Sequence, residues 1–249
     1  MKLVASMIAR NEMGRYLKLV IPHLLTFVDE IRIVDDGSDD GTYEWLSGEP
    51  VVLRRNTQSV FDDDEGIARH QCFEWTLAGK PTHILAIDCD EFVSDGVKLR
   101  AAVEDDPDMA VWTLLVCEVW EATPESLWLR TEQTWLPTRS PILYRAPDAV
   151  SNVWRIPPRK LASGREPSGV VMEYVAGNKI DLAVDLLHFG WANASERKAR
   201  YRRYAEGDGG EFHAGSHIES ILDEDVRLEA VAWPDSLDRE WLSVRVNAV

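Results

Sequence analysis

The N-terminal third of the chain alternates short β-rich runs with longer stretches that are apolar on one side only, and this alternation restricts the fold more than any other feature. LVASMIA (3–9), EIRIVD (30–35), VVLR (51–54) and HILAID (83–88) read as strands. Between them, Leu17, Leu19, Val20, Leu24, Leu25 and Phe27 share a helical face, Tyr43, Trp45 and Leu46 mark a second helix, and Ile67, Cys72, Phe73, Trp75, Thr76 and Leu77 a third. Strand and helix in turn predict a parallel sheet joined by crossover helices.

Two of these strands finish in acids, the second in Asp35 and Asp36 and the fourth in Asp88, Asp90 and Glu91, with Cys89 between the aspartates. In an open α/β sheet ligands bind beyond the carboxyl ends of the strands, so both clusters are expected to face one crevice. Carboxylates this close repel each other unless a cation sits between them. Turn chemistry accounts for Gly37, Ser38, Asp39 and Gly41 in DDGSDDG, with Ser38 or Asp39 capping the next helix. It gives no reason for a strand to end in two acids.

Beyond Gly96 a helix leads into strands at AVWTLLVCEVW (110–120), LWLRTEQTWL (127–136) and PILYR (141–145), and Pro137, Pro141, Pro147, Pro157 and Pro158 point to shaped loops over a mixed sheet edge. Most of Trp112, Trp120, Trp128, Trp135 and Trp154 are expected in the core. No tract of linker composition divides the 249 residues, so a single domain is expected. With 43 acids against 27 Lys and Arg the formal charge is −16, which works against stable binding to nucleic acid or anionic lipid. One basic stretch, RKARYRR (197–203), is either a solvated helix face or a surface for phosphate. The first apolar run is broken by Arg10, Asn11 and Glu12, too early for a signal peptide or spanning helix, and three cysteines without metal-site spacing suit reduced thiols. The expectation is a soluble, cytoplasmic protein with no transmembrane segment.

ARNE (9–12), VDDGSDDGT (34–42) and DCDEF (88–92) together resemble, in order and spacing, the GT-A glycosyltransferases, particularly the large family-2 type. The resemblance covers about the first hundred residues and thins beyond them; single motifs of this kind are weak, their ordered combination specific. It implies an α/β GT-A fold, with a Rossmann-like, mostly parallel central sheet flanked by helices. Residues 1–110 would bind nucleotide and metal, and 111–249 would form a mixed-sheet acceptor half with a late His and a lid. The implied reaction is metal-dependent transfer of a sugar, of the hexosyltransferase type, from a UDP- or GDP-sugar to a hydroxyl acceptor, protein or glycan being favoured.

On the same resemblance, Ala9, Arg10, Glu12 and Asp36 cradle the nucleotide, with Arg69 either assisting or ion-paired to Asp64 or Glu65. Asp88 binds ribose and reaches the metal directly or through water, Asp90 is a direct ligand, Cys89 lies in the nucleotide-binding turn, and His188 completes the set. Hard oxygen ligands suit Mn²⁺ or Mg²⁺, while Glu91 accepts backbone N–H groups. A helix capped by Ser195 presents Arg197, Lys198, Arg200, Arg202 and Arg203 as positive groups near the diphosphate; Lys198 and Arg202 share one face, and the sequence leaves the inward face undetermined. GVVMEYV (169–175) places Glu173 where inverting members carry an acid, and Met172 where they carry a His. Glu173 is the candidate base, with Glu166, Asp181 and Asp185 as alternatives. YAEGDGGEFHAGSHIESIL (204–222) reads as a lid or as a loop joining two helices; His213 and His217 form a metal pair only if they face each other. ILAIDCDEFV also fits the nucleophile strand of a haloacid-dehalogenase phosphatase, but that reading leaves the DDGS loop unused. A nucleotidyltransferase usually opens with a basic Gly-rich loop, which MKLVASMIARNE is not. A binding module without turnover remains the non-enzymatic alternative.

Overall fold

The computed structural model describes residues 1–61, 65–132, 135–146, 179–207 and 220–247. Glu173, Glu166, Trp154, His213 and His217 lie outside them. β1 (Leu3–Ala9), β2 (Glu30–Asp35), β3 (Val52–Arg55) and β4 (His83–Ala86) form the parallel half of the sheet, in the order β4-β1-β2-β3. The connecting helices are α1 (Leu17–Leu24), α2 (Thr42–Leu46) and α3 (Glu65–Leu77). β1 and β2 carry apolar side chains on both faces because helices or loops cover both, and Leu3, Ala5, Met7, Ile31 and Ile33 are buried in the main core.

The second half of the sheet is mixed. β5 (Glu91–Val93) follows β4 directly, and α4 (Gly96–Asp105) leads to β6 (Val111–Ala122), β7 (Leu127–Arg130) and β8 (Thr138–Arg145). β8 runs antiparallel between β4 and β6, and β7 continues the sheet to β10 (Leu228–Val231). β9 (Lys179–His188) pairs with β5 antiparallel and with β6 parallel. α5 (Ala194–Gly207) and α6 (Arg239–Val246) complete the described elements with a 3-10 turn at Ser220–Leu222. The division into a parallel and a mixed half is the expected one.

Several boundaries differ from expectation. β4 stops at Ala86 because Asp88 to Asp90 form a turn, in which Asp88 N–H donates to Glu91 Oε2 at 2.8 Å and Glu91 N–H to Asp88 O at 3.2 Å. Glu91 therefore stiffens the loop as expected. β7 ends at Arg130, whose buried guanidinium bonds to Glu132, Asp223 and the Ser220 carbonyl. Gly41, not Ser38 or Asp39, is the N-cap of α2 and no side chain caps the helix; Asp40 accepts from the Thr42 N–H at 2.9 Å just before it. Asn193, not Ser195, caps α5, its side-chain oxygen accepting from Glu196 N–H at 3.0 Å. Trp112, Trp120 and Trp135 are core residues; Trp128 is half-exposed.

Candidate active site

The two acidic strand ends do different work. Asp36 spends its carboxylate on the chain after β3: Asn56 and Ser59 donate at 2.7 Å, Val60 N–H at 3.0 and 3.1 Å, and Phe61 N–H at 2.9 Å. Burial would raise its pKa, but these donors outweigh it and hold the carboxyl below the usual range. Ala9 is buried and accepts the Asp36 N–H through its carbonyl, and Arg10 Nη1 reaches Ser59 Oγ at 2.7 Å. Gly37 is required here: its φ is +76°, and a Cβ would lie 2.8 Å from the Gln58 carbonyl carbon. The segment after β1 is fastened to the same loop by Asn11 N–H and Glu12 N–H, which donate to Ser38 Oγ and Thr42 Oγ1.

Arg69 lies 3.5 Å from Asp88 Oδ1 and over the Phe61 ring; Asp64 and the side chain of Glu65 lie outside the described residues. Contacts thus run from Asp36 through the Phe61 backbone and the Arg69 guanidinium to Asp88. Cys89 faces the other way. Its thiol is buried, donates to the Ile8 carbonyl at 3.2 Å and is pushed well up by burial and the surrounding carboxylates.

Asp90 is the centre of the arrangement. Its Oδ1 lies 3.6 Å from His188 Nε2, and its Oδ2 lies 3.5 Å from Arg15 Nη2 and 3.6 Å from Arg200 Nη2. The partners converge because His188 closes β9 opposite Glu91 of β5, while Phe189 N–H donates to the Asp90 carbonyl at 2.8 Å. On its other edge β9 places His188 beside Glu118 of β6, and Nδ1–H donates to Glu118 Oε2 at 2.5 Å. Burial alone would lower the imidazole pKa, but Glu118 and Asp90 outweigh it and raise it to about 9. Gly190 leaves the space open: a Cβ there would meet His188 Nε2 at 2.5 Å and Asp90 Oδ2 at 2.8 Å.

Glu12 approaches the same centre rather than the Asp36 loop. Its Oε1 accepts from Arg15 Nη1 at 2.6 Å, while its buried Oε2 has no hydrogen-bond partner among the described residues. Burial raises its pKa to about 7, with Arg15 opposing and Asp90 adding to the rise. Arg15 also lies 3.8 Å from Glu196, which is paired with Arg245 of α6.

On α5 the inward positions are Arg197 and Arg200. Arg197 donates to the carbonyls of Trp120, Trp191 and Ala192, and Arg200 stacks over Trp191 with its carbon 4.4 Å from the ring centre. Lys198 and Arg202 lie on the exposed face. Asp181 and Asp185 occupy exposed positions of β9, and Asp181 accepts from Thr113 Oγ1.

The donor chemistry suits a divalent cation. A carboxylate oxygen and an imidazole nitrogen converge, and a carboxylate on the far side of the ring fixes its tautomer, an arrangement characteristic of metal-binding histidines. Among the described residues, however, no three His, Cys, Asp or Glu side chains are gathered into a metal-holding group, and Asp88 stands with Arg69 instead. Protein ligation would rest on Asp90 and His188. Sequence reasoning missed Arg15 and Glu118, and named Arg200 only as one of five basic residues on the helix. The acid of Glu118 within an apolar strand was the visible signal; the inward faces of the other two depend on packing.

No family model matches the chain. Two uncharacterized proteins, from Mycobacterium bovis and Mycobacterium tuberculosis, are each 26% identical to it over an alignment 218 residues long, gaps included, that covers 82% of this chain and 50% of theirs. The chain thus spans about half the length of the curated relatives it matches. Among solved structures it is similar to a CMP:2-keto-3-deoxy-manno-octonic acid synthetase complexed with CTP, with 17% identity, TM-score 0.34 and coverage of 58% of this chain and 74% of that one. A 4-diphosphocytidyl-2C-methyl-D-erythritol synthase gives 17%, TM-score 0.36 and the coverages 58% and 74%. For a putative glucose-1-phosphate thymidylyltransferase from Bacillus anthracis the values are 16%, 0.33, 58% and 71%. Among the described residues, no helix is long and apolar enough to cross a membrane.

Proposed function

We propose that this chain is a metal-dependent glycosyltransferase of the GT-A kind, moving a sugar from a nucleoside-diphosphate sugar to a hydroxyl acceptor. The observation that carries the reading is the convergence of Asp90 and His188, with Glu118 behind the ring and Gly190 leaving room between them. Asp90 and His188 would hold Mn²⁺ or Mg²⁺, which supplies Lewis acidity toward a departing diphosphate.

The residues of the chain divide the donor between them. Arg10 and the loop that Asp36 organises form the nucleoside end; the acceptor capacity of Asp36 is already used, so it acts by shaping that loop. Asp88 and Arg69 lie between this end and Asp90, where ribose would sit. Arg200 places a cation beside Asp90, where charge develops as the bond to the sugar breaks. Glu173 is proposed as the base, from its place in GVVMEYV, with inversion as the stereochemical outcome.

A thermal-shift screen of UDP- and GDP-sugars with and without Mn²⁺ tests the reading. A donor present at a hundred times its dissociation constant stabilises the fold by about 2.7 kcal/mol. The expected result is a Mn²⁺-dependent rise with at least one donor, slow release of UDP or GDP, and loss of both in Asp90→Ala. Phosphate release from simple phosphomonoesters, or nucleotide binding indifferent to Mn²⁺ and to Asp90→Ala, would reject it.

A further inference from the structure

The Asp90 carboxylate faces His188 Nε2 at Oδ1 and the guanidiniums of Arg15 and Arg200 at Oδ2, all between 3.5 and 3.6 Å away. A divalent ion bound through the same oxygens must share this space with two guanidiniums, and the like charges repel. We propose that Arg15 and Arg200 stand in for the cation before it arrives and then turn outward to hold the donor's diphosphate, with Arg200 making the greater movement. The inference rests on the metal-site reading above.

The two arginines are tethered differently. Arg15 keeps a bond to Glu12 at 2.6 Å and lies near Glu196 at 3.8 Å, so leaving Asp90 still leaves it paired. Arg200 is held by the face of Trp191, which orients the guanidinium without neutralising it. Freed from Asp90, it presents a planar fork that matches a phosphate with two parallel hydrogen bonds. Cation and diphosphate would then assist one another. Arg200 would compete with a bound ion for the Asp90 oxygens, and pairing with phosphate would relieve that competition.

The test separates the two bindings. For wild type, Arg200→Gln and Arg200→Lys, titrate Mn²⁺ alone by calorimetry, and then UDP and GDP, each at saturating Mn²⁺; circular dichroism confirms the fold. Removing a competing charge should tighten Mn²⁺ binding by Arg200→Gln at least about threefold. The same variant should weaken diphosphate binding by about ten- to a hundredfold, the contribution of charge-assisted hydrogen bonds. Arg200→Lys keeps the charge but not the fork, and should bind Mn²⁺ like wild type while losing most of the diphosphate affinity. Mn²⁺ binding by wild type that Arg200→Gln leaves unchanged or weakens would overturn the inference alone. A wild-type protein that binds no Mn²⁺ would overturn the metal site and the inference together.

Discussion

Gly190→Ala separates the proposed cation site from the fold. An added Cβ would stand 2.5 Å from His188 Nε2 and 2.8 Å from Asp90 Oδ2, against an ordinary contact of about 3.4 Å or more, so each must retreat by roughly 0.6–0.9 Å. The imidazole cannot retreat freely, because Nδ1 is bonded to Glu118 at 2.5 Å and the backbone is paired on both edges. Both colliding atoms are side-chain ends, so the fold is expected to lose only about 1 kcal/mol, at the low end of overpacking. At about 2–4 °C per kcal/mol in a chain of this size, the melting temperature should fall by roughly 2–4 °C. Misplaced ligands typically weaken a metal site by about ten- to a hundredfold, and a Mn²⁺ titration of the variant should show that loss. Native Mn²⁺ affinity in a folded Gly190→Ala protein would refute the placement of the cation between Asp90 and His188.

Gly37→Ala should do the opposite, costing about 2–4 kcal/mol in urea unfolding, since φ is left-handed and the new Cβ meets backbone; a cost below about 1 kcal/mol would contradict the geometry of the loop. Acid should weaken the fold through His23 and His83, whose pKa values burial lowers against the opposing carbonyl bonds to Val93 and Pro107. Their unfolded forms take up protons first, so this stability is present above about pH 6.5 and is lost as pH falls toward the lowered folded values. His23→Gln should flatten the slope of melting temperature against pH between about 7 and 5, and an unaltered slope would remove His23 as a contributor.

The parallel half of the fold was legible because its strands are short, apolar and bounded by turn residues; β1 and β2 fall where the residues place them. Asp90 and His188 were legible through motif spacing, and they do meet. The DDGS loop was legible as a motif but less so as chemistry. Asp36 satisfies backbone N–H groups some 24 residues downstream, a contact no local pattern encodes. Glu118 was hidden for a similar reason, since its partner lies 70 residues on and is brought alongside by strand register. Arg200 was named but not singled out, because five basic residues in seven leave the inward face of α5 undetermined until Trp191 and Asp90 are in place. Lys198 sits on the other face.

Two ladders, with β5 and β6, fix the register of β9 at its last residue, and neither depends on how many residues separate β8 from β9. Insertions or deletions in that interval would leave the imidazole in place, whereas removing one residue from β9 itself would exchange it for an apolar neighbour. A lineage of such chains could therefore vary the length of that connection on either side of Glu173 while keeping Asp90 and His188 together.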